Sequence, residues 1–305
     1  MKGDCIMSKL LLSQSTMQDI EKRVDRVLKE IGNPAPPIPH VMIREALRLD
    51  MAYFQKDDPG IISEVWSRLK RGTKQILQRP SILKDMIESR SLRAAYIPDI
   101  KRIYVDGELH PFKKRWGETH ECVHGLLPWH QNYMMGDDKH TLTQVCREKL
   151  EAEANYGTGR LLFAGNRFTE ELADLPCSIR TAADLSKSYK NSLTSTLWRI
   201  VESSDDMPVL AYICPNHSPD GLYATPGAES DTHFVKSALF SAQFSNIQDG
   251  EVNKILNSYV RPNARYFAGE KAEILRDVNG NPHVFHFETI NNRYSYLTLA
   301  TVAPF

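Results

Sequence analysis

A chain of 305 residues is long enough for one large domain or two of ordinary size. Its 41% hydrophobic and 25% charged residues exclude a disordered chain. The 38 basic and 38 acidic residues cancel, so no bulk charge draws the protein to nucleic acid, a membrane surface or an acidic partner.

The apolar run at residues 10–12 is too short for the core of a signal peptide, and nothing approaches a membrane-spanning stretch. The five cysteines (Cys5, Cys122, Cys146, Cys177 and Cys214) are odd in number and form no C-x-x-C pair. Reduced thiols in the cytoplasm are therefore expected.

In chain order, "STMQDIEKRVDRVLKEIG" predicts a first helix, with Met17, Ile20, Val24, Val27, Leu28 and Ile31 on one stripe. Ser15 and Gln18 fit a capping box at its start, and Gly32 is placed to end it. The proline-rich "NPAPPIP" reads as a stiff connector. A short helix over residues 40–49 follows, then a strand at "DMAYFQ" and helix over 60–91 with a break near Pro80. "RAAYIPD" and "KRIYVDG" are strand candidates that can pair as a hairpin. Beyond the polar "HQNYMMGDDKH", a long helix is expected over residues 143–163, and two short ones around "YKNS" within 180–202. From about residue 207 the segments "PVLAYICP", "GEKAEILRDV" and "PHVFHFETINNRYSYLTLATV" read as strands, with turns at "NGNP" and "NN". The expected architecture is α+β: a helical N-terminal half with a small sheet, then a β-rich C-terminal domain beginning near residue 205.

One segment carries chemistry. "ETHECVHGLLPWH" contains H-E-x-x-H as His120, Glu121 and His124. Side chains four apart on a helix differ by about 40° in azimuth, so both imidazoles can share one ion. Glu121 lies close enough to reach a water at that ion without ligating it, and a carboxylate there can act as general base. Trp116, Val123 and Leu127 flank the histidine face with an apolar stripe, which turns that face inward. H-E-x-x-H also arises by chance, so a third ligand decides. His130 has the spacing of the longer H-E-x-x-H-x-x-G-x-x-H pattern, but residue 127 is leucine instead of the required glycine and Pro128 follows. His130 is therefore expected at the surface just past the helix end. The alternative is a carboxylate of the later helix, where "EKLEAEANYGTGRLLF" offers Glu148, Glu151 and Glu153. Glu151 and Asn155 share a face and Glu153 is turned roughly to the other side. The adjoining stripe of Leu150, Ala154, Gly157 and Leu161 includes two very small residues that permit close helix packing.

"HECVH" followed by "EAEAN" and "LLF" resembles the ImmA/IrrE family of zinc metallo-endopeptidases. The likeness extends over about residues 17–201. It implies a zincin-like peptidase domain over 1–175, a helix-turn-helix-like connector over 176–205 and a β-rich domain over 206–305, a GAF-like sensor in some relatives. It also implies Zn2+ held by His120, His124 and Glu151, with Glu121 as general base and Asn155 orienting a ligand. The expected reaction is hydrolysis of a peptide bond in a protein substrate such as a transcriptional repressor, with no membrane partner. An exposed strand edge at "KRIYV" is the expected place for an extended substrate. The alternative expectation is a DNA-binding or ligand-sensing regulator with a structural or vestigial zinc site, DNA meeting residues 180–202. Two departures stand out: Val123 where the family usually has glycine, and Gly157 and Thr158 where Phe-Ala is usual.

Overall fold

The computed structural model describes residues 12–54, 94–97, 101–107, 111–130, 144–215, 232–261 and 264–302. The helix expected over 60–91 and the polar stretch after His130 lie outside these. The chain divides into two compact units, Ser8–Phe168 and Thr169–Phe305.

In the first unit, α1 (Gln14–Glu30) buries Ile20, Val24, Val27 and Leu28 along the expected stripe. Its cap is Ser13, not Ser15: the extended Ser13 accepts a hydrogen bond from the Thr16 amide at 3.2 Å. The helix ends with the Gly32 amide on the Lys29 carbonyl and the Asn33 amide on the Leu28 carbonyl. Gly32 takes φ +81°, a left-handed turn that favours glycine. Helix α2 (His40–Ala46) leads into β1 (Asp50–Phe54).

Strands β2 (Ala94–Ile97) and β3 (Arg102–Asp106) pair antiparallel, as the sequence suggests, and β1 pairs parallel with β3. The order is β1-β3-β2. This overturns the "KRIYV" expectation: β3 is the central strand, hydrogen-bonded on both sides, so an added strand cannot dock there. Helix α3 (Pro111–Leu126) packs on β2 and β3 and carries the histidines. Helix α4 (Gln144–Leu162) packs against both α3 and α1.

These three helices meet at Gly157. A Cβ built there would stand 2.7 Å from Val123 Cγ1 and 3.3 Å from Ile20 Cγ2. Val123 and Ile20 are fully buried and β-branched, so neither yields easily. The bulk of Val123 is thus accommodated by the missing side chain at 157. Gly157→Ala is expected to destabilise the protein by about 1–3 kcal/mol through overpacking, against a smaller gain in helix propensity. Adding Val123→Ala should recover part of that loss, read as a thermal-unfolding double-mutant cycle with coupling above about 0.5 kcal/mol.

The second unit opens with α5 (Arg167–Ala173, which begins just before the division), α6 (Ile179–Ser188) and α7 (Leu193–Ser203). Five antiparallel strands follow in the order β5-β4-β8-β7-β6: β4 (Val209–Pro215), β5 (His233–Lys236), β6 (Phe267–Arg276), β7 (Pro282–Asn291) and β8 (Ser295–Val302). Helices α8 (Ala238–Gln243) and α9 (Asp249–Tyr259) lie between β5 and β6. Leu210 and Tyr212 join Phe240, Phe244 and Phe285 in the core. The intervening Val209, Ala211 and Ile213 point to the other face and are buried too, where α7 packs on β4. The α+β class and the β-rich second half agree with the sequence, while β5, α8 and α9 are additions to it. By their contacts α6 and α7 group with the sheet, upstream of the composition change near residue 205.

Candidate metal centre

Helix α3 brings His120 and His124 to one face, with 3.2 Å between their Nε2 atoms. Glu151, twenty-seven residues beyond His124 on α4, reaches into the same point. Its Oε2 is 3.2 Å from His120 Nε2 and its Oε1 is 3.9 Å from His124 Nε2. One donor atom from each of the three lies within 4.8 Å of the others. Donors held about 2.0–2.1 Å from a tetrahedral zinc stand ~3.3 Å apart, so the separations fit one such ion. The donor chemistry, two imidazoles and a carboxylate, fits zinc as well. The arrangement resembles H-E-x-x-H completed by a downstream glutamate. The Glu151 side chain is 53% exposed, so the group opens to solvent on the α4 side.

Burial pulls the His124 pKa down to about 3, assisted by the neighbouring His120 charge, which leaves a neutral imidazole. Burial opposes ionisation of Glu151, but its hydrogen bond to His120 and the imidazole charges outweigh this and hold it at about 2. Burial likewise works against a charged His120, and its bond to Glu151 and the nearby carboxylates overcome that and raise its pKa. Asn155 hydrogen-bonds the same imidazole from one turn further along α4. Glu121 is buried beside the group, and that burial lifts its carboxyl to about 7 although the His120 charge pulls the other way. The Tyr96 backbone amide of β2 donates to that carboxylate.

Glu118, one residue pair upstream of His120, is also buried. It accepts from Tyr53 Oη at 2.9 Å, which ties β1 to the histidine helix, while its other oxygen lies 2.8 Å from His40 Nε2 without hydrogen-bond geometry. Gly125 lets Leu49 and Tyr96 press against the turn after His124, since a Cβ there would stand 3.1 Å from Leu49 Cδ1.

The expected surface position of His130 is overturned. His130 is 0% exposed. Its Nδ1 is 2.9 Å from His124 Nδ1 and its Nε2 is 2.9 Å from Glu153 Oε2. Both ring nitrogens are therefore engaged away from the donor group. Pro128 ends α3 but also starts a further helical turn at 128–130, where its lack of an amide proton carries no penalty. That turn, closed by the His130 amide on the Leu127 carbonyl at 3.0 Å, swings His130 back under His124. Glu153 is 3% exposed and accepts from Trp129 Nε1 at 2.5 Å. Burial opposes its ionisation, but the hydrogen bonds from His130 and Trp129, with the nearby Lys149 charge, hold its pKa below the ordinary value. The side chain of Glu148 lies outside the described residues.

Among the described residues, no helix is long and apolar enough to cross a membrane. No protein-family model matches this chain, and no curated protein does. Among solved structures, a Mycobacterium tuberculosis transcriptional regulator is similar over 93% of this chain and 88% of its own, with 11% identity and a TM-score of 0.51. The likeness is one of fold.

Proposed function

We propose that this chain is a zinc-dependent endopeptidase that hydrolyses a peptide bond in a protein substrate, with a transcriptional repressor as the favoured class. The observation that carries this is the convergence of His120, His124 and Glu151 beside a buried Glu121. His120, His124 and Glu151 would hold the zinc ion, which would supply Lewis acidity toward a water and a carbonyl. Glu121 takes a proton from the attacking water onto a carboxylate oxygen and delivers it to the amide nitrogen as the C–N bond breaks. The Tyr96 amide keeps that carboxylate aimed, and Asn155 steadies the His120 ring. The apolar surroundings of Val123 and Leu127 keep bulk water off the inner side. Free thiols at Cys122, Cys177 and Cys214 fit a reducing compartment, in line with a cytoplasmic protein.

A regulator is the second reading, favoured by the name of the structurally similar protein. What weighs against DNA reading by residues 180–202 is α7 itself: its residues are buried or only partly exposed, and Arg199 is buried beside Glu202 at 3.6 Å. A recognition helix must present side chains to a groove. A sensor role for the C-terminal unit stays compatible with the peptidase reading. Metal analysis of untagged protein is expected to return about one zinc per chain, and chelation to abolish cleavage of a partner captured on the Glu121→Gln variant. Salt-sensitive, sequence-preferring binding of that variant to duplex DNA, with no zinc, would favour the regulator instead.

A further inference from the structure

A histidine that offers its Nε2 lone pair to a cation and stays neutral must carry its proton on Nδ1. For His124 that proton points at a second buried imidazole, because its Nδ1 lies 2.9 Å from Nδ1 of His130. His130 must then accept at Nδ1, so its own proton sits on Nε2. That atom lies 2.9 Å from Glu153 Oε2, and Trp129 Nε1 donates to the same oxygen. An oxygen receiving two donors carries no proton of its own, as in a carboxylate, which only accepts. One arrangement of protons thus satisfies every contact from His124 to Glu153. The opposite arrangement fails twice. A proton on His130 Nδ1 would force His124 to accept there and turn its proton toward the donor group, and a bare His130 Nε2 would face the carboxylate.

We propose that His130 and Glu153 are positioning residues, a buried imidazole–carboxylate relay that fixes the tautomer and ring orientation of His124 for metal binding. The inference rests on the zinc reading above. Ligating histidines commonly donate their second N–H directly to a carboxylate or carbonyl; here another imidazole stands between. The relay explains why α4 carries two glutamates two residues apart. Glu151 meets the ion-facing nitrogens and Glu153, on the far side of the helix face, meets the outer end of the chain. Lys149 Nζ, 3.9 Å from Glu153 Oε1 and largely exposed, is where the chain reaches solvent.

The test measures zinc affinity of the full chain against a chromophoric chelator. His130→Ala is expected to weaken zinc about 10–100-fold, the usual loss on removing such an outer partner. His130→Asn places an amide oxygen near the lost Nδ1 and is expected to restore affinity to within a few-fold of wild type. A role in packing alone would leave the Ala and Asn variants equally weakened. Side-chain 15N shifts of zinc-loaded wild type provide a readout that needs no variant: His130 should be protonated at Nε2 and bare at Nδ1. Unchanged affinity in His130→Ala, or a His130 protonated at Nδ1 or bound to zinc, would overturn the relay while leaving the zinc site standing. Wild type that binds no zinc would overturn the zinc reading and the relay with it.

Discussion

Glu121→Gln is expected to retain about one zinc per chain and to lose peptide hydrolysis by roughly 10²–10⁴-fold, the range general-base catalysis contributes. The two effects separate because Glu121 is next to the donor group without belonging to it. Glutamine keeps the shape and can still accept from the Tyr96 amide, so β2 and α3 should hold their packing. What disappears is the group proposed to carry the proton from water to the leaving nitrogen. The amide cannot be protonated near neutral pH, so no residual base remains at that position. Measured zinc content, thermal midpoint and single-turnover cleavage together decide the matter. A variant that cleaves at the wild-type rate would end the assignment of Glu121, whatever its metal content.

Removing Glu151 should do the reverse. Glu151→Ala is expected to weaken zinc on the order of 10²–10⁴-fold, about the share of one ligand among three in a structural-site binding energy. Its effect on metal-free stability should be small, because the side chain is half exposed and such pairs contribute little in water. Metal-free wild type and variant should therefore unfold at nearly the same temperature, and only the zinc-loaded forms should diverge. If zinc leaves both proteins at the same rate, Glu151 is a surface charge and the peptidase reading fails.

Much of this centre could be read before any coordinates. The H-E-x-x-H spacing alone places two imidazoles together, because helical azimuth follows from counting residues. The α1 stripe was equally plain, although its cap fell two residues earlier: Ser13 is extended while Ser15 already lies inside the first turn. Glu151 was reached through its resemblance to a known motif, since nothing local ties residue 151 to residue 120. Non-local packing was invisible for the same reason. The parallel pairing of β1 with β3 joins segments about fifty residues apart, and it moved "KRIYV" from an edge to the centre.

His130 was misplaced for a different cause. Pro128 lies just past the histidine helix, and proline is well suited to open a new helical turn, which carries His130 inward. Leu127 in place of glycine argues against His130 as a ligand but says nothing of its contacts with His124 and Glu153, which depend on packing. The departure at Val123 likewise had its counterpart at Gly157, thirty-four residues on, which only the meeting of α3 with α4 reveals.

The hold of Tyr53 on Glu118, with His40 beside it, has a consequence for the metal-free chain. Small zinc domains collapse without their ion because nothing else orders the ligands. Here the chain's own bonds and packing hold the histidine helix, so the metal-free chain is expected to stay folded, read as an unchanged far-UV spectrum after chelation.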